Sequence, residues 1–165
     1  MLRFALPLSL AASPAAAEVR QASDGGFAST FTLSIAAPPA KVWKTLLRPS
    51  LWWQASHTYS GSAVNLSLKP RAGGCWCERT ATGSVEHMRI VYVARNDTLR
   101  MTGGLGPLQA LPVTGVLTIT LAPAGTGTEL TASYSVAGQG VGAFAAPVDK
   151  VLGVQWPRLK AAAER

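Results

Sequence analysis

Motifs that mark nucleotide-binding loops and nucleophilic acyl-transfer sites are missing from this chain of 165 residues. It contains no G-x-S-x-G nucleophile elbow and no P-loop. The glycines of GGLGPL, residues 103–108, lie in a Gly/Pro-rich loop rather than between a predicted strand and a predicted helix. The sequence therefore argues against a phosphate-binding loop and against a hydrolase of the nucleophile-elbow type.

Long hydrophobic runs are also missing, since none reaches the roughly 20 residues that a membrane-spanning helix needs. The start of the chain instead combines Arg3, a short apolar run over 4–12 and small residues just before Glu18. This three-part pattern predicts a signal peptide over residues 1–17, cleaved before Glu18. We therefore expect a periplasmic protein. An uncleaved anchor and a disordered Ala-rich leader are the alternatives.

The rest of the chain shows no internal repeat, and its length fits one domain of roughly 100–200 residues. We expect residues 18–25 to form a flexible lead-in and residues 26–165 to fold as a single domain.

Acidic residues are few, with 8 Asp and Glu against 15 Lys and Arg, for a formal charge of +7. Nucleic-acid-binding proteins concentrate such charge in runs or on one face, whereas these basic residues are scattered along the chain. We therefore expect a solvated basic surface and no nucleic-acid partner. The alternative is weak contact with a membrane surface that carries anionic head groups, or attraction to an acidic ligand.

Cysteine is equally scarce, with only Cys75 and Cys77, in GGCWCE. In a strand these two residues share a face, and their Cα atoms stand about 6.5–7 Å apart, at the outer limit for a disulfide. The geometry predicts two free thiols. Together with His57 and His87 the cysteines match no compact zinc motif, so no metal site is expected.

Short strand-like runs fill the chain between two helical patterns. Period-two alternation predicts strands over 27–36, 64–68, 74–80, 85–94, 99–103, 113–121 and 128–136. Helical spacing of apolar residues predicts a first helix that ends by Arg48–Pro49 and a long last helix from about Val141 to Ala163. Pro157 predicts a kink or break near Gly153 to Trp156.

Three segments carry a resemblance to a known family: FTLSIAAPPAKVWKTLLRPSLWW near the start, GGCWCE in the middle and VDKVLGVQWPRLKAAAE at the end. They resemble the SRPBCC superfamily, also called START or Bet v 1-like, especially its polyketide-cyclase and AHSA1-like branches. The resemblance implies an α+β helix-grip fold, in which a curved antiparallel sheet wraps around a long C-terminal helix and leaves an apolar cavity. Members bind lipids, sterols or polyketides, cyclise aromatic polyketides or act as co-chaperones. No cofactor is expected.

Candidate ligand contacts come from aromatic and polar residues on the predicted inner faces. They are Trp53, His57, Tyr59, Trp76, Glu78, Gln109, Tyr134, Phe144 and Trp156. Tyr134 and Trp156 are the strongest candidates to touch a ligand, and Gln109 is expected to orient it by a hydrogen bond.

Two residues are candidates for acid–base chemistry. His57 lies beside aromatic residues at the expected cavity mouth. Glu78 shares a face with Trp76, and a carboxyl in an apolar pocket would have a raised pKa. Glu86 and His87 point to opposite faces of one strand, so that one of them faces the cavity.

Three functions are consistent with this pattern. The first is an exported protein that binds a small hydrophobic or amphipathic molecule. The second is a cyclase- or hydrolase-like enzyme that uses His57 or Glu78 in the same cavity. The third is a protein-interaction module, which predicts a filled core and an exposed apolar patch.

Overall fold

The computed structural model describes residues 18–165 and their side chains from residue 22 onward. The predicted signal peptide lies outside the described residues. Ten main elements follow in chain order: β1 (Glu18–Ser23), β2 (Gly26–Ile35), α1 (Pro39–Leu46), β3 (Leu66–Leu68), β4 (Cys75–Arg79), β5 (Ser84–Ala94), β6 (Thr98–Thr102), β7 (Thr114–Ala124), β8 (Gly127–Ala137) and α2 (Ala145–Glu164).

All eight strands form one curved antiparallel sheet in the order β1-β2-β8-β7-β6-β5-β4-β3. Alternation fixes which face is buried: Leu130, Ala132 and Tyr134 on β8 are at most 1% exposed, whereas the residues between them are not buried. The helix α2 packs on this inner face, mainly against β2 and β1, and also contacts α1. The predicted helix-grip α+β fold is therefore confirmed.

The expected lead-in is not flexible chain, because residues 18–23 form β1. This strand pairs with β2, from Glu18 opposite Thr30 to Ser23 opposite Gly26. Its register shifts between Val19 and Gln21. A bulge of this kind breaks the alternation that would identify a strand in the sequence.

The long helix α2 is preceded by a 3₁₀ turn, Val141–Phe144, and runs through Pro157 without a break. The predicted break is wrong because tertiary packing holds the helix on both sides of the proline. Trp156 and Leu159 are at most 1% exposed, whereas Pro157 faces solvent.

A β-bulge distorts the pairing of β4 and β5. Trp76 pairs with Met88 and Cys77 with Glu86, so that His87 is the extra residue on β5. A bulge of this kind re-aims a side chain. Both His87 and Met88 are buried as a result, whereas Glu86 is exposed.

Cys75 and Cys77 form a disulfide, so the prediction of two free thiols is wrong. Their Cα atoms are 5.4 Å apart, closer than the roughly 6.5–7 Å of a regular strand. The approach occurs opposite the bulge, where β4 departs from regular geometry.

Within residues 18–165, none of the helices has the length and apolar character that a membrane crossing requires.

Candidate functional site

A pocket of about 570 Å³ opens between the sheet and the first half of α2. Four parts of the chain form its walls: the aromatic segment (residues 52–59), the sheet, the roof loop (residues 103–110) and α2. The lining residues are Trp53, Ser56, His57, Thr58, Tyr59, Leu66, Trp76, His87, Leu105, Gly106, Pro107, Leu108, Phe144, Pro147, Val148, Val151 and Leu152. Most of them are apolar, and the volume lies within the range of small-molecule sites.

The roof loop is held in place by Tyr134, which lies beneath it on β8. The Tyr134 hydroxyl accepts a hydrogen bond from the Leu105 amide and donates one to the Gly103 carbonyl, both at 3.0 Å. Burial raises the pKa of Tyr134 to about 12, although the Leu105 amide lowers it. Gly115 on β7 lies directly against the roof loop, where a Cβ would collide with the Gly103 carbonyl oxygen.

The aromatic segment is held against α2 by Gln155, which is fully buried. Its side-chain oxygen accepts a hydrogen bond from the Gln54 amide, and its Nε2 lies 2.8 Å from His57 Nδ1. The Trp53 indole donates to the His57 carbonyl at 2.8 Å. His57 is therefore fixed by both its backbone and its ring at the edge of the pocket.

On the sheet side of the pocket, Glu78 and His87 form a buried pair. His87 Nε2 lies 2.8 Å from Glu78 Oε2, and Glu78 is 1% exposed. The same carboxylate accepts hydrogen bonds from the Tyr59 and Ser60 amides. Burial raises the pKa of Glu78, but the hydrogen bonds from Ser60, Tyr59 and His87 outweigh burial and leave the pKa below its ordinary value.

The hydrogen bonds assign complementary roles to the two histidines. Because the oxygen of Gln155 is used as an acceptor, its Nε2 donates to His57 Nδ1, and the proton of neutral His57 is on Nε2. Because ionised Glu78 only accepts, His87 carries a proton on Nε2, and its neutral Nδ1 is an acceptor. Outside these bonds, His57 keeps one ring nitrogen as a donor and His87 keeps one as an acceptor, and both residues line the pocket.

The structure brings together five of the residues that the sequence suggested as ligand contacts. These are Trp53, His57, Tyr59, Trp76 and Phe144, all in the pocket wall. They come from the aromatic segment, β4 and the turn before α2, so residues distant in the chain meet at one cavity.

Four of the suggested residues do not line this pocket. Tyr134 and Trp156 are at most 1% exposed and belong to the packed core, since one bonds the roof loop and the other stacks on Trp52 at 5.8 Å. Gln109 bonds the Glu86 carbonyl on the outside. Glu78 lies behind His87, and its pKa is lowered, so the expected protonated acid is corrected to an ionised carboxylate.

His87 is not among the suggested contacts, although it lines the pocket and is bonded to the Glu78 carboxylate. Strict alternation cannot place both His87 and Met88 inward, and the bulge that does so has no signal in the sequence of β5. Leu105 and Leu108 are apolar residues in a loop, which indicates that the loop is partly buried. Their spacing fits neither a helix nor a strand, so the sequence does not show that this loop covers the pocket.

One group of potential metal ligands comes together in the part of the chain that the structure describes. One ligand atom each of Cys75, Cys77 and Glu86 lie within 4.8 Å of one another. The two sulfurs are bonded to each other, and the Glu86 carboxylate lies 2.6 Å from Arg89 Nη2. The group as it stands has no thiolate, so it does not fit a metal.

Solved structures with the same fold come from several bacteria. Protein MLL2253 from Mesorhizobium loti is 24% identical with a TM-score of 0.56, and the match covers 83% of this chain and 93% of that one. A protein from Enterococcus faecalis, EF2215, is 18% identical with a TM-score of 0.60, over 91% and 77% of the two chains. The Aha1 dimer from Colwellia psychrerythraea is 18% identical with a TM-score of 0.60, over 82% and 94%. At these identities the likeness shows the fold alone.

No curated protein sequence matches the chain. A family model does, and it extends over residues 27–164, from the first residues of β2 to the end of α2. It therefore includes strands β2 to β8, the pocket and both helices. By this match, the chain belongs to the family described as polyketide cyclase / dehydrase and lipid transport.

Proposed function

We propose that this protein binds a small, largely apolar molecule that carries a hydroxyl group. The observation that carries the proposal is the pocket of about 570 Å³, whose apolar walls enclose two histidines with complementary hydrogen-bonding roles.

The apolar walls determine the body of the ligand. Leu66 and Trp76 on the sheet face Val148 and Leu152 on α2 across the pocket, with Leu108 in the roof loop. A chain or ring system that replaces water here gains roughly 25 cal/mol for each Å² of apolar surface buried. A fully polar ligand would lose its hydration without compensation.

The two histidines determine the polar group. A hydroxyl both accepts and donates, so it can take the proton of His57 Nε2 and give its own to His87 Nδ1. An ether can only accept, and an alkane can do neither. The pocket should therefore prefer an alcohol to its ether or its hydrocarbon.

Displacement of an environment-sensitive dye by 1-dodecanol, its methyl ether and dodecane tests this preference. We expect the alcohol to bind tightest, by roughly tenfold or more over the ether, because a hydrogen bond lost in a buried site costs about 1–3 kcal/mol. His57→Leu and His87→Leu should each remove the preference. Equal affinity for the three probes would contradict the assigned polar group, and no displacement by any of them would contradict a ligand pocket.

A matched pair of variants on α2 separates the pocket from the rest of the surface. Val148 lines the pocket, whereas Val154 is 39% exposed and does not. Val148→Trp should fill the cavity and abolish dye binding, and Val154→Trp should leave binding unchanged. Loss of binding in both variants would show that the dye binds elsewhere or responds to altered folding.

Acid–base catalysis in the same pocket is the second candidate, and the Glu78–His87 pair favours it. An ionised carboxylate 2.8 Å from His87 Nε2 orients the ring and leaves Nδ1 as the acceptor. His87 would then be the base, with Glu78 as a positioning residue. A hydroxylated polyketide is incubated with the wild-type protein or with the His87→Gln variant and analysed by mass spectrometry. Catalysis predicts a product with the wild type and none with the variant. Recovery of the unchanged compound with all variants would favour binding alone.

Export is part of the proposed function. The three-part leader over residues 1–17 supports it, and so does the Cys75–Cys77 disulfide, because disulfides persist in oxidising compartments. N-terminal sequencing of protein from the periplasmic fraction should begin at Glu18. Recovery of full-length chain from the cytoplasm alone would contradict export.

A further inference from the structure

The disulfide lies on the outer face of the sheet, directly behind the pocket. Along β4, Cys75 and Cys77 point outward and are partly exposed, whereas Trp76 and Glu78 between and after them point inward and are buried. Trp76 lines the pocket, and Glu78 bonds His87. Each cysteine is therefore covalently adjacent to a residue that shapes the pocket.

The disulfide is poorly suited to stapling the fold. Closing a loop between residues two apart removes little freedom from the unfolded chain, and the shortest loops give the least stabilisation. The neighbouring strands β3 and β5 already hold β4 by hydrogen-bonded pairing on both sides. A bond with so small a structural contribution, exposed to solvent, is suited to chemistry instead.

We propose that Cys75–Cys77 is a thiol–disulfide exchange site whose oxidation state changes the binding properties of the pocket. The thiolate of a small external thiol attacks one cysteine sulfur, forms a mixed disulfide and releases the other cysteine as a thiolate. A second external thiolate attacks the external sulfur of that mixed disulfide and releases the second cysteine. The net products are the protein dithiol and the oxidised external disulfide, and the two electrons come from the external thiols.

An ion pair lies across from the sulfurs on the neighbouring strand β5. Arg89 is the cross-strand partner of Cys75 and Glu86 that of Cys77. Arg89 pairs with Glu86 at 2.6 Å, and a Glu86 carboxylate oxygen lies within 4.8 Å of the sulfurs. A thiolate released here forms beside an ion pair: the Glu86 carboxylate opposes its negative charge, and Arg89, which is bonded to that carboxylate and is the cross-strand partner of Cys75, offsets this in part.

Reduction of the disulfide changes the pocket because it allows β4 to lengthen between Cys75 and Cys77. The bonded cysteines have their Cα atoms 5.4 Å apart, and a regular strand would place them about 6.5–7 Å apart. Releasing the bond lets β4 extend at the point where His87 is the extra residue of the bulge. Trp76 and His87 both contribute to the pocket wall and their rings are 6.1 Å apart. Their displacement alters the apolar wall and the imidazole acceptor together.

The exchange is tested on the folded protein with glutathione buffers of graded potential. Thiols are trapped by alkylation and counted by intact mass, and the indole signal of Trp76, assigned with Trp76→Phe, reports the pocket wall without any ligand. We expect reversible appearance of both thiols in the folded state and a shift of the Trp76 signal. The double variant Cys75→Ser/Cys77→Ser should show the reduced-state signal and ignore the buffer. If the double variant does not fold, the chemically reduced wild-type protein serves as the reference for the reduced-state signal.

Two results would overturn the proposal. One is a disulfide that reacts only after the protein unfolds, which would make it structural. The other is reduction in the folded state with an unchanged Trp76 signal, which would remove any link to the pocket. Neither result depends on whether the pocket binds a ligand.

The effect on binding rests on the proposed function and is measured separately. We expect the affinity for 1-dodecanol to differ by roughly tenfold between the oxidised and reduced proteins. Linkage then requires saturating 1-dodecanol to shift the midpoint of the glutathione titration by about 30 mV. Equal affinities would overturn control of binding. If 1-dodecanol binds to neither the oxidised nor the reduced protein, the proposed function is contradicted. The thiol count and the Trp76 signal would still show whether the disulfide exchanges and whether the pocket wall responds.

Discussion

Glu78 illustrates how the surroundings of one residue reverse its expected chemistry. An inward-facing carboxyl in an apolar pocket would be expected to be protonated, yet its pKa is lowered. The reason is the number of donors: the Tyr59 and Ser60 amides and His87 all point at its two oxygens. Ionised Glu78 thereby connects β4 to the end of the aromatic segment and to the residue after it.

The variant Glu78→Gln should lower the free energy of unfolding by about 1–3 kcal/mol at neutral pH, because an amide cannot accept all of these bonds. A lowered pKa means that the stabilisation is present above the ordinary value of 4.5 and is lost as the pH falls through the folded-state pKa. The difference between wild type and variant should therefore shrink in acid. Urea denaturation from pH 7 down to pH 3 measures it.

Glu86→Gln is the matched control for this prediction. Glu86 lies on the same sheet, but it is exposed, and its carboxylate pairs with the exposed Arg89. Its substitution should change stability by less than about 0.5 kcal/mol. A difference for Glu78→Gln that stays constant with pH would contradict the ionised state of Glu78.

Tyr134 gives a second prediction at this scale. Tyr134→Phe leaves the buried Leu105 amide without its partner and should cost about 1–3 kcal/mol at pH 7. Because burial raises the pKa of Tyr134 from 10.0 to about 12, this stabilisation is present below pH 10 and is lost as the pH rises towards 12. Urea denaturation between pH 7 and pH 11 should show the gap narrowing only above pH 10.

The exposed Tyr92 serves as the control for Tyr134. Its side chain contacts Arg100 on the outer face, and Tyr92→Phe should change stability by less than about 0.5 kcal/mol. An equal loss in both variants would show that the phenol group, rather than its bonds to the roof loop, is responsible.

At the level of whole elements, strict alternation explains most of what the sequence could predict. It identifies β2, β7 and β8 and their buried faces, because β8 pairs with β2 and with β7 without a register shift. It fails on β5, where shifts in pairing at two points change the faces. The first shift turns His87 inward and the second leaves Tyr92 outside, so the residues of β5 could not be assigned from parity.

Pro157 supplies a prediction for α2. A proline inside a helix removes a backbone hydrogen bond, here to the Gly153 carbonyl, and costs about 3 kcal/mol, partly offset by the stiffer unfolded chain. Pro157→Ala should therefore raise the free energy of unfolding by about 2 kcal/mol in urea denaturation. Pro147→Ala is the control, because proline is tolerated in the first turn of a helix. Equal effects would contradict the assignment of the cost to the missing bond.

For the molecule as a whole, a ligand that binds only the folded state must stabilise it. At a free concentration 100 times its Kd, 1-dodecanol should add about 2.7 kcal/mol. For a domain of this length, that raises the melting temperature by about 5–10 °C. Calorimetry should show the rise for wild type and Val154→Trp but not for Val148→Trp. A rise in Val148→Trp would mean that the probe binds outside the pocket.

The pocket itself is a property of the whole molecule, which limits how far the sequence could predict it. Gln155 and His57 lie far apart in the chain, yet they bond at 2.8 Å. Neither residue has a local pattern that signals the other. The resemblance in the first and last segments predicts the fold and a cavity, whereas the partners inside it depend on how α2 lies on the sheet.

The pairing of β2 with β8 also affects how the protein can be made. Ile35 lies opposite Thr128 and Gly26 opposite Ala137, so one of the first strands to leave the ribosome pairs with the last. Only β1 can pair with β2 before then, and α2 is synthesised later still. Because this pairing joins segments so distant in the chain, the sheet closes only when synthesis is nearly complete. That late closure is compatible with the proposed export, since a chain whose sheet has not yet closed is available to a translocation pore.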